Sequence, residues 1–314
     1  MRWRIKSTLQ NLAAMLPERV GMPAYYMMQR SFGALRGYSP SRRYTAAVEI
    51  FDHISSLAAE PRDRTYFEVG TGRVPVVPML LWLMGAKRVI SVDLNRYLIP
   101  SLTASSARYI ATQAQELREA LGHRLVEARY ETLQAFISSR HSFPIDDLLE
   151  LFSIDYRAPA DASDTGLPSR SVDYHVSYTV LEHVDPPSVS RLLLEARRVL
   201  ARDGIAAHFV DYSDHFSHSD NSIDAIHFLR FSESQWSAIA SNRFMYANRL
   251  RDDDYVAIAV SSGFTIARHD RNIDPMIRAR LAAGYNPPLD VRFRDKAANV
   301  LSTTSAWLVR TKSS

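Results

Sequence analysis

The sequence predicts an α/β fold in which strands and helices alternate. Short β-branched or aromatic runs recur at 66–69, 88–92, 148–156, 172–177, 205–210, 264–269 and 305–310, each reading as a strand. Stretches with apolar residues at helical spacing lie between them, and Gly70-Thr71-Gly72 follows the first run at once. Two glycines there permit backbone angles that other residues resist and let a ligand approach the main chain closely.

The bulk numbers set the limits. The 314 residues suffice for one large domain with additions or two modest ones. Hydrophobic content of 46% and charged content of 23% are globular values. No apolar run reaches about 18 residues, so no transmembrane helix is expected. The basic start is followed by no apolar stretch of the signal-peptide kind, which favours a cytoplasmic protein. With no cysteine, disulfides, zinc–thiolate sites and thiol catalysis are excluded. A net charge of +4 without an RNA-binding motif argues against a nucleic-acid partner.

Residues 1–44 carry eight Arg or Lys and one acid, Glu18. Pro17 and Pro23 are expected to break this segment into short helices. Three readings stay open: a helical cap on the core, a lid with Tyr25, Tyr26 and Arg30 on a substrate, or a basic amphipathic surface for anionic lipid. Residues 44–57 read as the helix before the first strand, with Ala47, Ile50, Phe51 and Ile54 on one face. The N-terminal unit is placed at 1–58 and the main domain at 59–314.

Strand, glycine turn, apolar helix at 74–84, strand and Asp93 then follow. Pro75 falls in the helix's first turn, and Pro78 is a candidate for its true start. An acid ending the second strand can accept hydrogen bonds from ribose hydroxyls. A dinucleotide site wants G-x-G-x-x-G, and here the third glycine position is Pro75. The combination Glu68-x-Gly70-x-Gly72 with Val92-Asp93 instead resembles the class I methyltransferases that use S-adenosylmethionine. The segment Ser177-x-x-x-Leu181-Glu182-His183-Val184 carries the same resemblance, in the right order. So does the helix and turn EARRVLARDG ending at Gly204.

The resemblance covers residues 65–310 and implies a Rossmann-like, seven-stranded, mostly parallel sheet flanked by helices. It also implies S-adenosylmethionine as cofactor, with Glu68, Gly70, Thr71, Gly72, Asp93, Leu94 and Tyr178 about it. Asp161 would meet the adenine amino group and the Ala162 N–H the ring; otherwise Asp161 is an ordinary turn aspartate. His183 is a candidate base for a substrate hydroxyl or amine, or a structural histidine, and Glu182 borders the substrate. Some quinone-forming relatives hold a metal with E-x-x-E-H here. This chain has Thr179 at the first position, and no metal is expected at this segment.

Two insertions, about 97–147 and 212–251, lie outside these motifs. The first reads as helical and able to shape a substrate pocket. The second opens with Asp211, Asp214, His215, His218 and Asp220 within ten residues. Lacking a helical H-x-x-x-H, it reads as a polar loop rather than a metal site, with Asp211 and His215 as catalytic candidates and His218 on substrate. Its aromatics, Phe228, Phe231, Trp236 and Tyr246, suit either a lid or a satellite core.

The expected activity is methyl transfer to a hydroxyl, or an amine, of a small molecule such as a sugar or secondary metabolite. Alternatives are methylation of a lipid-linked or polymeric glycan at a membrane surface, and cofactor binding without catalysis.

Overall fold

The computed structural model describes residues 2–32, 38–285 and 287–313. Two N-terminal helices, α1 (Trp3–Met15) and α2 (Glu18–Phe32), lead to α3 (Tyr44–Ser55). Pro17 separates α1 from α2, as expected. Pro23 lies inside α2 without ending it, so the helix absorbs one missing backbone hydrogen bond.

Seven strands form one sheet: β1 (Thr65–Val69), β2 (Arg88–Val92), β3 (Ile154–Arg157), β4 (Val172–Tyr178), β5 (Leu200–Asp211), β6 (Phe264–Ile273) and β7 (Thr303–Lys312). Their order is β3-β2-β1-β4-β5-β7-β6. The first five pair in parallel. β7 runs antiparallel to β5 and β6. From β1 the chain steps outward through β2 to β3, then crosses back to β4 on the other side of β1. The crevice at their carboxyl ends is therefore the topological switch point, where open α/β sheets place ligands.

The helix α4 (Val76–Leu83) starts later than the sequence pattern suggested, with Pro75 as its N-cap and Pro78 in its first turn. All eight of its residues are buried. The helices α5 (Pro100–Thr112), α6 (Ala114–Leu121) and α7 (Glu127–Ser138) fill the first insertion. They bury Ile110, Leu117 and Leu133 in the same core as α3 and α4. The expected strand at 148–156 divides in two: Leu148 belongs to α8 (Ile145–Leu151), and only Ile154–Arg157 is strand. A short apolar run satisfies either pattern, and the buried Leu148 serves the helix. The opposite sheet face is covered by α9 (Pro186–Val199), which buries Leu192 and Leu193.

The second insertion has its own core, built from Phe216, Phe228, Leu229, Trp236 and Met245. The N-terminal helices dock on it. The Trp3 ring lies 5.1 Å from His227 and 5.7 Å from Phe231, and the Trp3 N–H donates to Asp220 Oδ2 at 2.7 Å. Hydrogen bonds from polar side chains add to this. Ser7 Oγ donates to the Ile239 carbonyl at 2.7 Å and Asn11 Nδ2 to the Ala238 carbonyl at 3.0 Å. Ile5, Leu9, Leu12 and Leu16, at helical spacing, face outward and are exposed.

Candidate functional site

The first half of the site is the glycine turn after β1. Glu68 is buried there, and its Oε2 accepts from the Thr71 hydroxyl and, at 2.6 Å, from Ser91 Oγ. Burial raises the Glu68 pKa, while these two hydroxyls oppose the rise. Gly70 has φ +82°, and a Cβ there would stand 2.5 Å from Val180 Cγ2, so no larger residue fits. Gly72 has φ +72°, and a Cβ on it would meet nothing within 4 Å; this side of the turn is open. Asp93 accepts from the Gly72 N–H at 3.0 Å and from the Tyr156 hydroxyl at 3.0 Å. Burial, with the nearby Glu68 charge, lifts Asp93 to about 7, against the pull of both hydrogen bonds.

Two cavities flank this turn. One, of about 320 Å³, is lined by Asp93, Leu94, Asp161, Ala162 and His183, among others. The other, of about 390 Å³, takes in Glu68, Thr71, Gly72, Arg73 and Tyr178. Gly70 and Val180 line both, so the Val180 side chain stands where the cavities meet. The preceding Thr179 has φ +55°, a left-handed backbone that a β-branched residue adopts only under constraint.

Asp161 Oδ1 accepts from its own turn, at Ser163 N, 2.8 Å away. The carboxylate therefore does what a turn aspartate does while still bordering the cavity. Tyr26 lies under the Arg73 guanidinium, 5.3 Å from ring centroid to Cζ, which brings it to the second cavity's edge. Tyr25 is buried and stacks on Phe244 at 4.1 Å, away from both cavities. The Arg30 side chain lies outside the described residues. Of the first insertion, Tyr97 at its start lines a cavity, while α5–α8 supply no lining residue.

A second polar group gathers at the carboxyl ends of β4 and β5. The turn Leu181–His183 buries the Glu182 carboxylate to 4% exposure. Neither of its oxygens has a well-aligned hydrogen-bond partner among the described residues; burial pushes its pKa well up, against the pull of the Glu182 and Asp211 backbone N–H groups. His183 is exposed at the rim, with Nδ1 2.6 Å from the Tyr246 carbonyl, so that nitrogen carries the proton. Its ring meets the His215 ring edge-on at 5.0 Å. His215 Nε2 lies 3.4 Å from Asp211 Oδ2. Burial pushes the Asp211 pKa up, but His215 and Ser213 outweigh it and hold the carboxylate below its usual range. His218 sits beside them, its Nε2 2.8 Å from Ser213 Oγ. The other acids of the run do structural work: Asp214 pairs with buried His227 at 3.1 Å, and Asp220 receives Trp3.

Sequence reading missed Tyr156, Arg73, Ser91 and Val180. Tyr156 ends a strand beside Asp93, and Ser91 is a lone polar residue in an apolar strand; both carried a faint signal. Val180 carried none.

The residues present fit a nucleoside with a charged amino-acid end. The open face of Gly72 and the Asp93 carboxylate form a cradle between two unequal cavities. Residues 147–208 match the family model described as "Methyltransferase domain". No curated protein matches the sequence. Among solved structures, the chain is similar to a SAM-dependent methyltransferase from Methanosarcina mazei, with 14% identity, 83% of this chain and 97% of that one covered, and a TM-score of 0.46. It is also similar to an S-adenosylmethionine-dependent methyltransferase from Mesorhizobium loti, at 12% identity, 85% and 99% coverage, and TM-score 0.42. A third is the geranyl diphosphate C-methyltransferase of Streptomyces coelicolor, seen with Mg2+, geranyl diphosphate and S-adenosyl-L-homocysteine, at 15% identity, 85% and 78% coverage, and TM-score 0.47.

Proposed function

We propose that this chain, which carries a methyltransferase domain of the class I, S-adenosylmethionine-dependent kind, transfers a methyl group to a hydroxyl, or an amine, of a small molecule such as a sugar or secondary metabolite. The cofactor, when bound, supplies an electrophilic sulfonium methyl, so the protein's main task is alignment. Asp93 accepts from the ribose hydroxyls in this reading. Leu94, Asp161 and Ala162 flank the base, and Glu68, Thr71, Gly72 and Tyr178 border the amino-acid end. Tyr26 and Glu182 border the acceptor.

One observation supports the hydroxyl acceptor above others. His183 lines the cavity and meets His215, which Asp211 holds. This cluster offers a route for an acceptor proton to leave as the oxygen is methylated. Residues 1–58 act as a cap on domain 59–314. Binding of S-adenosylhomocysteine, followed by calorimetry, tests the cofactor half; absence of binding removes the reading. With an acceptor found by screening, unchanged product formation in both His183→Ala and His215→Ala removes the base assignment.

A second reading has its own support. The outward stripe Ile5, Leu9, Leu12 and Leu16, with exposed Arg2, Arg4 and Arg19, suits an anionic lipid surface, and hence a lipid-linked acceptor. Among the described residues no helix is long and apolar enough to cross a membrane. Flotation with vesicles containing phosphatidylserine separates the two readings: failure to float counts against the lipid version.

A further inference from the structure

We propose that Arg43 and Arg73 bind an acidic group of the acceptor molecule, a carboxylate or a phosphate, in the larger of the two cavities. Both residues line that space of about 390 Å³. Arg43 comes from the turn just before α3 and Arg73 from the glycine turn after β1.

Each guanidinium rests against an aromatic ring. The Arg43 Cζ lies 5.6 Å from the Tyr178 ring centroid, and the Arg73 Cζ lies 5.3 Å from that of Tyr26. A ring occupies the flat face of a guanidinium and leaves the N–H donors along its edge free. Neither guanidinium forms an ion pair or a hydrogen bond with a described residue. Other arginines of the chain are matched: Arg88 and Arg124 each meet a carboxylate at 2.6 Å, and Arg157 meets one at 2.8 Å.

The surroundings leave the two charges uncancelled. Among the described residues Glu68 is the one acid lining the cavity, and its Oε2 is taken by the Thr71 and Ser91 hydroxyls. Val76 and Val77, in the first turn of α4, also border the space, and a helix N-terminus carries partial positive charge. Burial lowers the Arg73 pKa; the groups opposing the fall are Tyr25, Tyr26 and Tyr97, with no acid among them. A cleft with an excess of one sign and low-dielectric walls concentrates ions of the other sign.

Assigning the anion to the acceptor rests on the methyl-transfer reading. S-adenosylmethionine would bring a sulfonium cation and an amino-acid end whose ammonium and carboxylate cancel, so the positive excess would stay unmatched. A planar fork of N–H donors takes two oxygens of a carboxylate or phosphate together. Anchored there, the acceptor would turn a separate hydroxyl or amine toward Val180, where the two cavities meet. A hydroxy acid or a sugar phosphate meets this description, and a neutral sugar does not. The anion site itself does not depend on that reading.

The test uses the full chain saturated with S-adenosylhomocysteine. Calorimetric titrations follow with inorganic phosphate, 4-hydroxybenzoate and, as an uncharged match, 4-hydroxybenzamide. At least one anion should bind with a Kd of about 1 mM or tighter, and the amide should bind more weakly than the benzoate. Arg43→Gln and Arg73→Gln should each weaken anion binding at least about tenfold, with part of the loss recovered in Arg73→Lys. S-adenosylhomocysteine affinity should stay near the wild-type value in these variants. Arg42→Gln, exposed and outside the cavity, should change nothing. Circular dichroism establishes that each variant is folded, and a loss in either glutamine variant supports the site. The proposal is overturned if neither anion binds, if the amide matches the benzoate, or if both glutamine variants leave anion binding unmoved. It is equally overturned if they weaken S-adenosylhomocysteine as much as the anion, because the arginines then hold the cofactor's own carboxylate. Repeating the anion titrations on the free chain separates the claims. Arginine-dependent anion binding without nucleoside binding keeps the site and removes the methyltransferase reading; nucleoside without anion does the reverse.

Discussion

The two halves of the site are finished to different degrees. Around the glycine turn, Glu68, Thr71, Ser91, Gly72, Asp93 and Tyr156 satisfy one another. At the ends of β4 and β5, the buried Glu182 carboxylate has no well-aligned hydrogen-bond partner among the described residues, and two imidazoles meet edge to face. A half that is complete in itself positions a ligand by shape. A half left less complete keeps polar groups free to meet a substrate.

Breaking the finished half should cost most. Gly70→Ala puts a Cβ 2.5 Å from Val180 at φ +82°, so S-adenosylhomocysteine affinity by calorimetry should fall more than about 100-fold, with a lower Tm. Asp93→Ala removes an acceptor of charge-assisted hydrogen bonds worth about 1.5–3 kcal/mol, a loss of roughly 10–150-fold in the same assay. The pH dependence sharpens this. Asp93 titrates at about 7 in the free chain. The ligand prefers the ionised form, so affinity should fall roughly tenfold from pH 8 to 6, and the slope should vanish in Asp93→Asn.

The smallest effect compares the two buried glutamates directly, by denaturant unfolding. Glu68→Gln replaces the carboxylate oxygen that accepts from both Thr71 and Ser91 by a weaker, neutral amide acceptor, and should destabilise by about 1–2 kcal/mol. Glu182→Gln should be neutral or stabilising at pH 8. The raised pKa of Glu182 means its contribution is favourable below the unfolded value of about 4.3 and is lost as pH rises through the folded one. Any gain from glutamine should therefore grow between pH 5 and 8. Equal losses in both variants would erase the contrast.

The finished half was readable because it is local. Glu68, Gly70 and Gly72 lie within five residues, and Asp93 ends the very next strand, so spacing alone brings them together. The sheet was readable for the same reason, through runs whose apolar pattern fits one face. The incomplete half depends on an approach that spacing does not encode. His215 reaches His183 only after a helix, β5 and the turn of an insertion. Leu148, in α8, and Pro23, within α2, show the other limit: short apolar runs and single prolines take whichever structure the packing around them rewards.

The inverted α1 has a consequence of a different kind. Its grip on the insertion is made by Trp3, Ser7 and Asn11, while its outward leucines support no contact in the cores described for this chain. Exchanging them for lysine or glutamate would lower the tendency to aggregate at little expense to folding. On the lipid-surface reading, this stripe is the part of the chain that would sink into the headgroup layer.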